Sequence, residues 1–574
     1  MKEFLKYFGE YKKYAILCPL CVFCEVIMEI LTPYIMAKMV DNGVIGNAGI
    51  WYVFKMGILM ILMAFFALFF GIKAGKFSAK AGAGLAKNLR EILFAKVQNF
   101  SFANVENFST ASIITRITTD VVNVQNAVMM VIRVAVRAPF MLIGAIVMAL
   151  FTSKELSYIF IFAIPFLSIS LFIITKIASG RFKILLKKYD DMNLILQENL
   201  TNIRVVKAFT REDFEMKKFN KIVNIVKKAG IFAEKIIILN NPIMQIAIYS
   251  SILSILWFGG NIIIKGNMEI GQLSSFLTYV MQILMSLMMI SFIFIMLMIS
   301  RASRTRILEV LNEVPTIKDS EQDTVFENGS IEFKDVDFSY TNKKENLVLS
   351  NINLKIDSGE TVGIIGSTGS GKTTLVQLLP RLYDILNGTL NVGGNNIKKY
   401  KLKTLRDNIG IVLQKNVLFS GTIKENLKWG NEKATDDEII KICKDAQAHD
   451  FIMGFVKGYN TVLGQGGVNV SGGQKQRLCI ARTLLKKPKI LIFDDSTSAV
   501  DTSTEAKIRK VLMKDMKDTT KIIISQRILS IKDADKIVVL DNGKINGIGT
   551  HKELMENNEI YREIYLSQQN GLME

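Results

Sequence analysis

The chain has 574 residues, half of them apolar, and carries 71 Lys and Arg against 52 Asp and Glu, a net charge of +19. That is too long for one domain and too apolar for an ordinary soluble protein, so part of it lies in a membrane. The basic excess gathers beside the apolar runs, which reads as cytosol-facing loop charge and not as a nucleic-acid surface.

Residues 4–14 are basic and amphipathic and are expected to lie at the membrane surface ahead of a first spanning helix. This start imitates a secretory signal, but the apolar run continues past Glu25 and Glu29 to Val40 without a small-x-small cleavage site. Six apolar runs, 15–40, 53–71, 134–151, 158–178, 236–264 and 274–299, can each supply the ~20 residues of a span. An even number of spans puts both ends of the domain on one side. Lys2, Lys6, Lys12, Lys13, Lys73, Lys76, Lys80, Lys87, Arg90 and the basic run 183–188 mark that side as cytosolic, whereas 41–52 holds no Lys or Arg. Cys18, Cys21 and Cys24 fall within the first span and Cys443 and Cys479 in the cytosolic part, so neither a disulfide nor a metal site is expected. His449 and His551 are the only histidines, which leaves few candidates for histidine catalysis.

Residues 74–133 are too polar for lipid but place Leu85, Leu89, Leu93 and Val97 at helical spacing. The spans are therefore expected to continue into the cytosol as helices, and 181–235 reads the same way. Two long hairpins result, with tips near Asn107 and Arg211 that can touch a soluble domain. Glu25, Glu29, Arg133 and Arg137 lie within or at the ends of spans, where charge is costly and turns toward a cavity or a partner. Glu25 and Glu29 share a helix face, and two roles stay open for them, attracting cationic amphiphiles or pairing with the arginines. Met281, Met285, Met288, Met289, Met296 and Met298 of the sixth run suit either a promiscuous apolar cavity or packing toward lipid.

A polar stretch with Pro315 separates two composition regimes, giving a transmembrane domain over 1–312, a linker over 313–330 and a nucleotide-binding domain over 331–574. Residues 331–339 alternate as a strand does, short strands recur to about Val392, and an α/β pattern follows. Within it, TVGIIGSTGSGKTT at 361–374 runs from a buried strand through a glycine turn into a helix. Gly366, Gly371, Lys372 and Thr373 satisfy G-x-x-x-x-G-K-[ST]. Backbone N–H groups of Gly366, Ser367, Thr368, Gly369, Ser370, Gly371 and Thr374 are suited to cradle the phosphates of ATP or GTP. Lys372 then reaches the β- and γ-phosphates, and the Thr373 hydroxyl holds Mg²⁺.

Further motifs fit that loop. VSGGQ stands at 470–474 before a basic helix, Asp494 ends the apolar strand begun by Ile490, Gln414 ends 409–413, Tyr340 closes FSY, and Ser498 precedes Asp501. Together they resemble ATP-binding cassette (ABC) proteins, and six spans followed by one cassette resemble exporter half-transporters over essentially the whole chain. The resemblance implies an all-α transmembrane domain of six long helices, then an α/β cassette with a small antiparallel β subdomain and a helical signature subdomain. It also implies that Asp494, Thr373 and Gln414 hold Mg²⁺, that Tyr340 stacks on adenine, and that 498–501 forms the D-loop. Two cassettes would pair head to tail, with Ser471, Gly472, Gly473 and Gln474 of one chain completing the partner's ATP site. N–H groups and the dipole at the start of a helix suit a γ-phosphate there.

The sequence departs from the family at catalytic positions. Asp495 stands where exporters have the Glu that activates water, and Gln526, in IIISQR, where they have the switch His. Gln465 replaces a Glu common before the signature, and Val470 the usual Leu. A carboxylate one methylene short and an amide that cannot be protonated imply a site that binds ATP and hydrolyses it poorly. With the signature intact, the expected assembly is a heterodimer in the cytoplasmic membrane that exports drugs or other amphipathic, lipid-like molecules. A slow homodimer and a regulatory, ATP-sensing membrane subunit are the alternatives.

Overall fold

The computed structural model describes residues 2–46, 48–322, 324–495 and 501–570. They form two compact units, Met1–Asn99 with Phe108–Glu313, and Phe100–Asn107 with Val314–Glu574.

The first unit is helical. Its long helices are α1 (Lys12–Lys38), α2 (Ile50–Gln98), α3 (Val121–Thr152), α4 (Ile159–Thr201), α5 (Glu212–Ile238), α6 (Asn240–Ile264) and α7 (Ile270–Asn312). Among the described residues, six helical stretches are long and apolar enough to cross a membrane, α5 and α6 together supplying the fifth. At 1.5 Å per residue, the 49 residues of α2 extend roughly 74 Å, more than twice the hydrocarbon thickness of a bilayer. The apolar run thus marks only the part of each helix that faces lipid, and the periodic Leu85, Leu89 and Leu93 of the extension are fully buried. Val22 and Val26 of α1, Ala145 of α3 and Phe276, Tyr279 and Ile283 of α7 form the core. All five cysteines are free thiols.

The N-terminal segment packs against α2. Lys2–Tyr11 is a 3₁₀ stretch whose Phe4 and Phe8 are buried, and Asn88 Nδ2 of α2 donates to Tyr7 O at 2.9 Å.

In the second unit an antiparallel sheet, in order β2-β1-β4-β5, is built from β1 (Ile331–Phe338), β2 (Leu349–Ile356), β4 (Asn387–Val392) and β5 (Asn395–Asn396). A six-stranded sheet, ordered β12-β11-β3-β10-β9-β6, contains β3 (Thr361–Gly366), β6 (Ile409–Val412), β9 (Ile490–Asp494), β10 (Thr520–Ile524), β11 (Lys536–Asp541) and β12 (Lys544–Gly549). Five of its strands are parallel and only β12 runs antiparallel. The unbroken burial of β9 and β10 explains why they read as continuous apolar runs. β7 (Gly421–Thr422) and β8 (Val462–Leu463) form a small separate pair.

Two segments join this unit from outside the expected cassette boundary. The ring of Phe326 packs on Tyr400 at 5.4 Å between centroids, and Lys489 Nζ donates to Phe326 O at 2.7 Å. The short helix Phe102–Phe108, at the hairpin tip expected near Asn107, contributes a fully buried Asn104 whose Nδ2 donates to Val314 O at 3.2 Å. Glu106, on the same helix, accepts from the Tyr383 hydroxyl at 2.9 Å.

Candidate nucleotide site

Parallel topology brings the chemistry together. The register pairs Ile364 with Ile524 and Ile524 with Asp494, so the carboxyl ends of β3, β10 and β9 lie side by side, with β6 next to β9. This is the edge where open α/β sheets bind ligands. A cavity of about 360 Å³ opens there, lined by Val348, Thr368, Gly369, Gly371, Lys372, Thr373, Thr374, Gln414, Asp495, Ile524 and Gln526.

The phosphate loop turns from β3 into α8 (Lys372–Gln377). Gly366 is required by close approach, since a Cβ there would stand 2.0 Å from Leu540 O. Gly366→Ala is therefore expected to shift backbone at the root of the loop, costing about 1–3 kcal/mol and weakening ATP binding. Thermal unfolding together with nucleotide titration checks this. Lys372 Nζ lies back across the loop and donates to Gly366 O at 2.9 Å and Ser367 O at 2.7 Å, with Ser370 Oγ at 3.4 Å. Burial holds its ammonium below the ordinary lysine range, opposed by the charges of Asp495 and Asp494.

Asp494 is 1% exposed, and its Oδ1 accepts from Thr373 Oγ1 at 2.8 Å. Burial raises its carboxyl above the usual carboxylate range, the Thr373 bond lowers it, and neighbouring Asp495 raises it further. The adjoining hydroxyl and carboxylate form a hard oxygen pair of the kind Mg²⁺ takes, so these residues fit that ion.

Asp495 follows with φ +45°, in the left-handed region that Asp tolerates better than most side chains. Its Oδ2 accepts from Gln526 Nε2 at 2.9 Å and from Gln414 Nε2 at 3.5 Å. Three chain segments that leave β9, β10 and β6 thus meet on one carboxylate. Tyr340 hydrogen-bonds Thr374 Oγ1 through its hydroxyl at 2.9 Å, and its ring meets Phe338 and Tyr383 edge to face.

The signature residues stand apart from this cavity. Ser471 caps α9 (Gly472–Leu485) in a capping box with Gln474, whose N–H donates to Ser471 Oγ at 3.3 Å while its Oε1 accepts from Ser471 N at 3.0 Å. Ser471 and Gly472 are exposed, as is Gln465 in the turn before them. Most of the D-loop, from Ser498 to Val500, lies outside the described residues.

Sequence reasoning missed Val348 and Ile524, apolar lining residues without a motif, and Gln568. On α11, which follows α10 (Thr502–Asp515) and spans Glu559–Asn570, Gln568 donates to Gln526 O at 2.6 Å and accepts from Ile528 N at 2.9 Å. No spacing signal announces that clamp, because its two halves are 42 residues apart.

Residues 15–287 match the ABC transporter transmembrane region and residues 349–498 the ABC transporter cassette. The Bacillus subtilis ABC transporter ATP-binding protein YfiB is 36% identical over 570 residues, 99% of this chain and 98% of its own length. The chain belongs to the ABC transporter family. The transporter is also similar to the ATP-dependent lipid A-core flippase of Desulfotalea psychrophila, 33% identical over 85% of each chain. A bacterial Atm1-family ABC exporter with ATP bound shares its fold, with a TM-score of 0.85, 24% identity and coverage of 97% of this chain and 99% of the other. The transporter is accordingly a multi-pass membrane protein in which a helical domain with six spanning stretches is fused to one ATP-binding cassette.

Proposed function

We propose that this transporter exports amphipathic molecules across the cytoplasmic membrane as one half of a heterodimer, and that its own nucleotide site binds ATP with Mg²⁺ but hydrolyses it slowly. The N-terminus and cassette face the cytosol. The observation that carries the reading is the bond from Gln526 to Asp495 at 2.9 Å. A general base has to reach the proton of the attacking water, and small misplacements cost on the order of 100-fold. Here the carboxylate is one methylene short, sits on a left-handed residue and already accepts two amide N–H groups. Gln526 can donate to a γ-phosphate, yet it has no protonated form with which to stabilise developing charge.

Binding is favoured by the rest of the site. The loop from Gly366 to Thr374 offers its N–H groups to phosphates, Lys372 supplies the cation, and Thr373 with Asp494 and Gln414 holds the metal. Tyr340, anchored on Thr374, carries the adenine contact. The open start of α9 supports the other half of the proposal, since Gly472 and Gly473 can face a γ-phosphate held by a partner chain. An amphipathic substrate class is supported by the relative named as a lipid A-core flippase and by Met281, Met285 and Met289, which line a cavity of about 580 Å³ in the membrane unit.

Purified alone, the chain is expected to bind ATP with Mg²⁺ while showing weak ATPase activity. Brisk turnover in that preparation contradicts the slow-site reading.

A further inference from the structure

The membrane unit holds two cavities that meet at Glu29. One, of about 590 Å³, is lined by Glu25 and Glu29 of α1, Gly71, Gly75 and Lys76 of α2, and Arg133 of α3. The other, of about 580 Å³, runs from Glu29 and Arg137 along Met281, Met285 and Met289 of α7. Ala67 lies in both walls.

Arg137 serves both acids at once. Its Nη2 donates to the two oxygens of Glu29 at 2.7 and 2.8 Å, and its Nη1 donates to Glu25 Oε1. Glu25 Oε2 is left without a hydrogen-bond partner, on a side chain whose residue is only 6% exposed. A buried acceptor in that condition carries its full desolvation cost, which a donor brought by a ligand would relieve. One guanidinium neutralises one of the two carboxylates. One negative charge shared by Glu25 and Glu29 therefore remains, facing two positive charges, Arg133 and Lys76, across the same space. A ligand bearing both signs matches these walls better than a simple cation or anion does.

Depth points the same way. Lys76 and Arg133 stand just beyond the ends of the apolar runs 53–71 and 134–151, where lipid headgroups lie. Leu68 and Ile72 on the rim are 59% and 61% exposed, so the cavity opens along the apolar face of α2. Behind it, the methionines give a polarizable surface that adapts to alkyl chains.

We propose that the two cavities hold one zwitterionic amphiphile with an N–H-bearing ammonium and a phosphate. The ammonium donates to Glu25 Oε2, the phosphate lies against Arg133 and Lys76, and the tail runs along Met281, Met285 and Met289. This rests on the export reading and names the substrate class of its membrane unit.

The test uses the full-length protein in nanodiscs of equal phosphatidylethanolamine, phosphatidylcholine and phosphatidylglycerol, with retained lipid counted by native mass spectrometry and no nucleotide present. Phosphatidylethanolamine is expected to be preferred roughly tenfold over phosphatidylcholine, whose quaternary nitrogen has no N–H, and over phosphatidylglycerol, which has no cation. Glu25→Gln keeps the Arg137–Glu29 pair and is expected to level phosphatidylethanolamine with phosphatidylcholine. Lys76→Gln combined with Arg133→Gln is expected to lower retention of all three. Should that double variant not fold, Gly75→Val serves instead, because its Cβ meets Arg133 Nη1 at an ordinary 3.6 Å and its methyls fill the cavity. Equal retention of the three lipids by the wild type overturns the proposal, as does a preference untouched by Glu25→Gln or a total retention untouched by the double variant or Gly75→Val. So does displacement of phosphatidylethanolamine by an equimolar lipophilic cation such as tetraphenylphosphonium. If the binding preference holds but ATP drives no movement of fluorescent phosphatidylethanolamine in proteoliposomes of the assembled transporter, the export reading fails and the site stands.

Discussion

Gly472→Glu is expected to collapse ATP turnover and transport of the assembled transporter while ATP binding at Lys372 survives. Gly472 is the first residue of α9, exposed and directly after the Ser471 cap. A γ-phosphate brought there by the partner would meet the N–H groups at this helix start. A glutamate side chain instead introduces bulk and a second anion. Two like charges 4 Å apart repel by about 4 kcal/mol at an effective dielectric constant of 20, equivalent to roughly a thousandfold loss. The helix itself should tolerate the change, because an acidic residue in the first turn is favoured by the macrodipole. None of residues 471–474 lines the cavity around Lys372, so nucleotide binding in that cavity is left alone. Mg-ATPase, substrate efflux and nucleotide titration at equal expression separate these effects. Full activity in the variant would mean that this signature completes no site.

The second large effect runs in the opposite direction. Asp495→Glu with Gln526→His is expected to raise hydrolysis by the purified chain on the order of 100-fold, restoring both the reach of the base and a side chain able to carry a proton. The two changes belong together. Asp495→Glu alone would keep the Gln526 amide as a neighbour of the longer carboxylate, and Gln526→His alone would set an imidazole against a carboxylate that remains one methylene short. A stability cost of about 1 kcal/mol is expected from placing a glutamate at φ +45°, which Asp tolerates better. Steady-state ATPase and thermal unfolding measure the two consequences separately. An unchanged rate would move the deficit elsewhere, with exposed Gln465 the next residue to exchange for glutamate.

What the sequence discloses about this cassette follows from how local each signal is. The phosphate loop is legible because strand, glycine turn and helix are contiguous in 361–374. That Thr373 meets Asp494 follows once the apolar runs of β3, β10 and β9 are assigned to one parallel sheet, since parallel register aligns their carboxyl ends. Long-range packing leaves no such trace. The Gln568 clamp on Gln526, the docking of Phe326 on Tyr400, and the membership of 100–107 in the second unit all join segments that nothing local connects. The acidic pair of α1 shows the limit well. Arg133 and Arg137 are one turn apart on α3 and equal candidates by spacing, but the depth and rotation of the helix select Arg137 for the ion pairs. Hydropathy locates the spans and understates the helices, because it registers contact with lipid and the cytosolic extensions are held by protein.

The proposed division of labour between two composite sites is tested most directly by Asp495→Asn in the assembled transporter, measured for Mg-ATPase and efflux beside wild type and Gly472→Glu. Removing a carboxylate that is already short and amide-bound should lower activity only modestly, while Gly472→Glu should remove nearly all of it. If Asp495→Asn abolishes activity as fully as Gly472→Glu does, this chain's own site hydrolyses ATP and the slow-site account is contradicted.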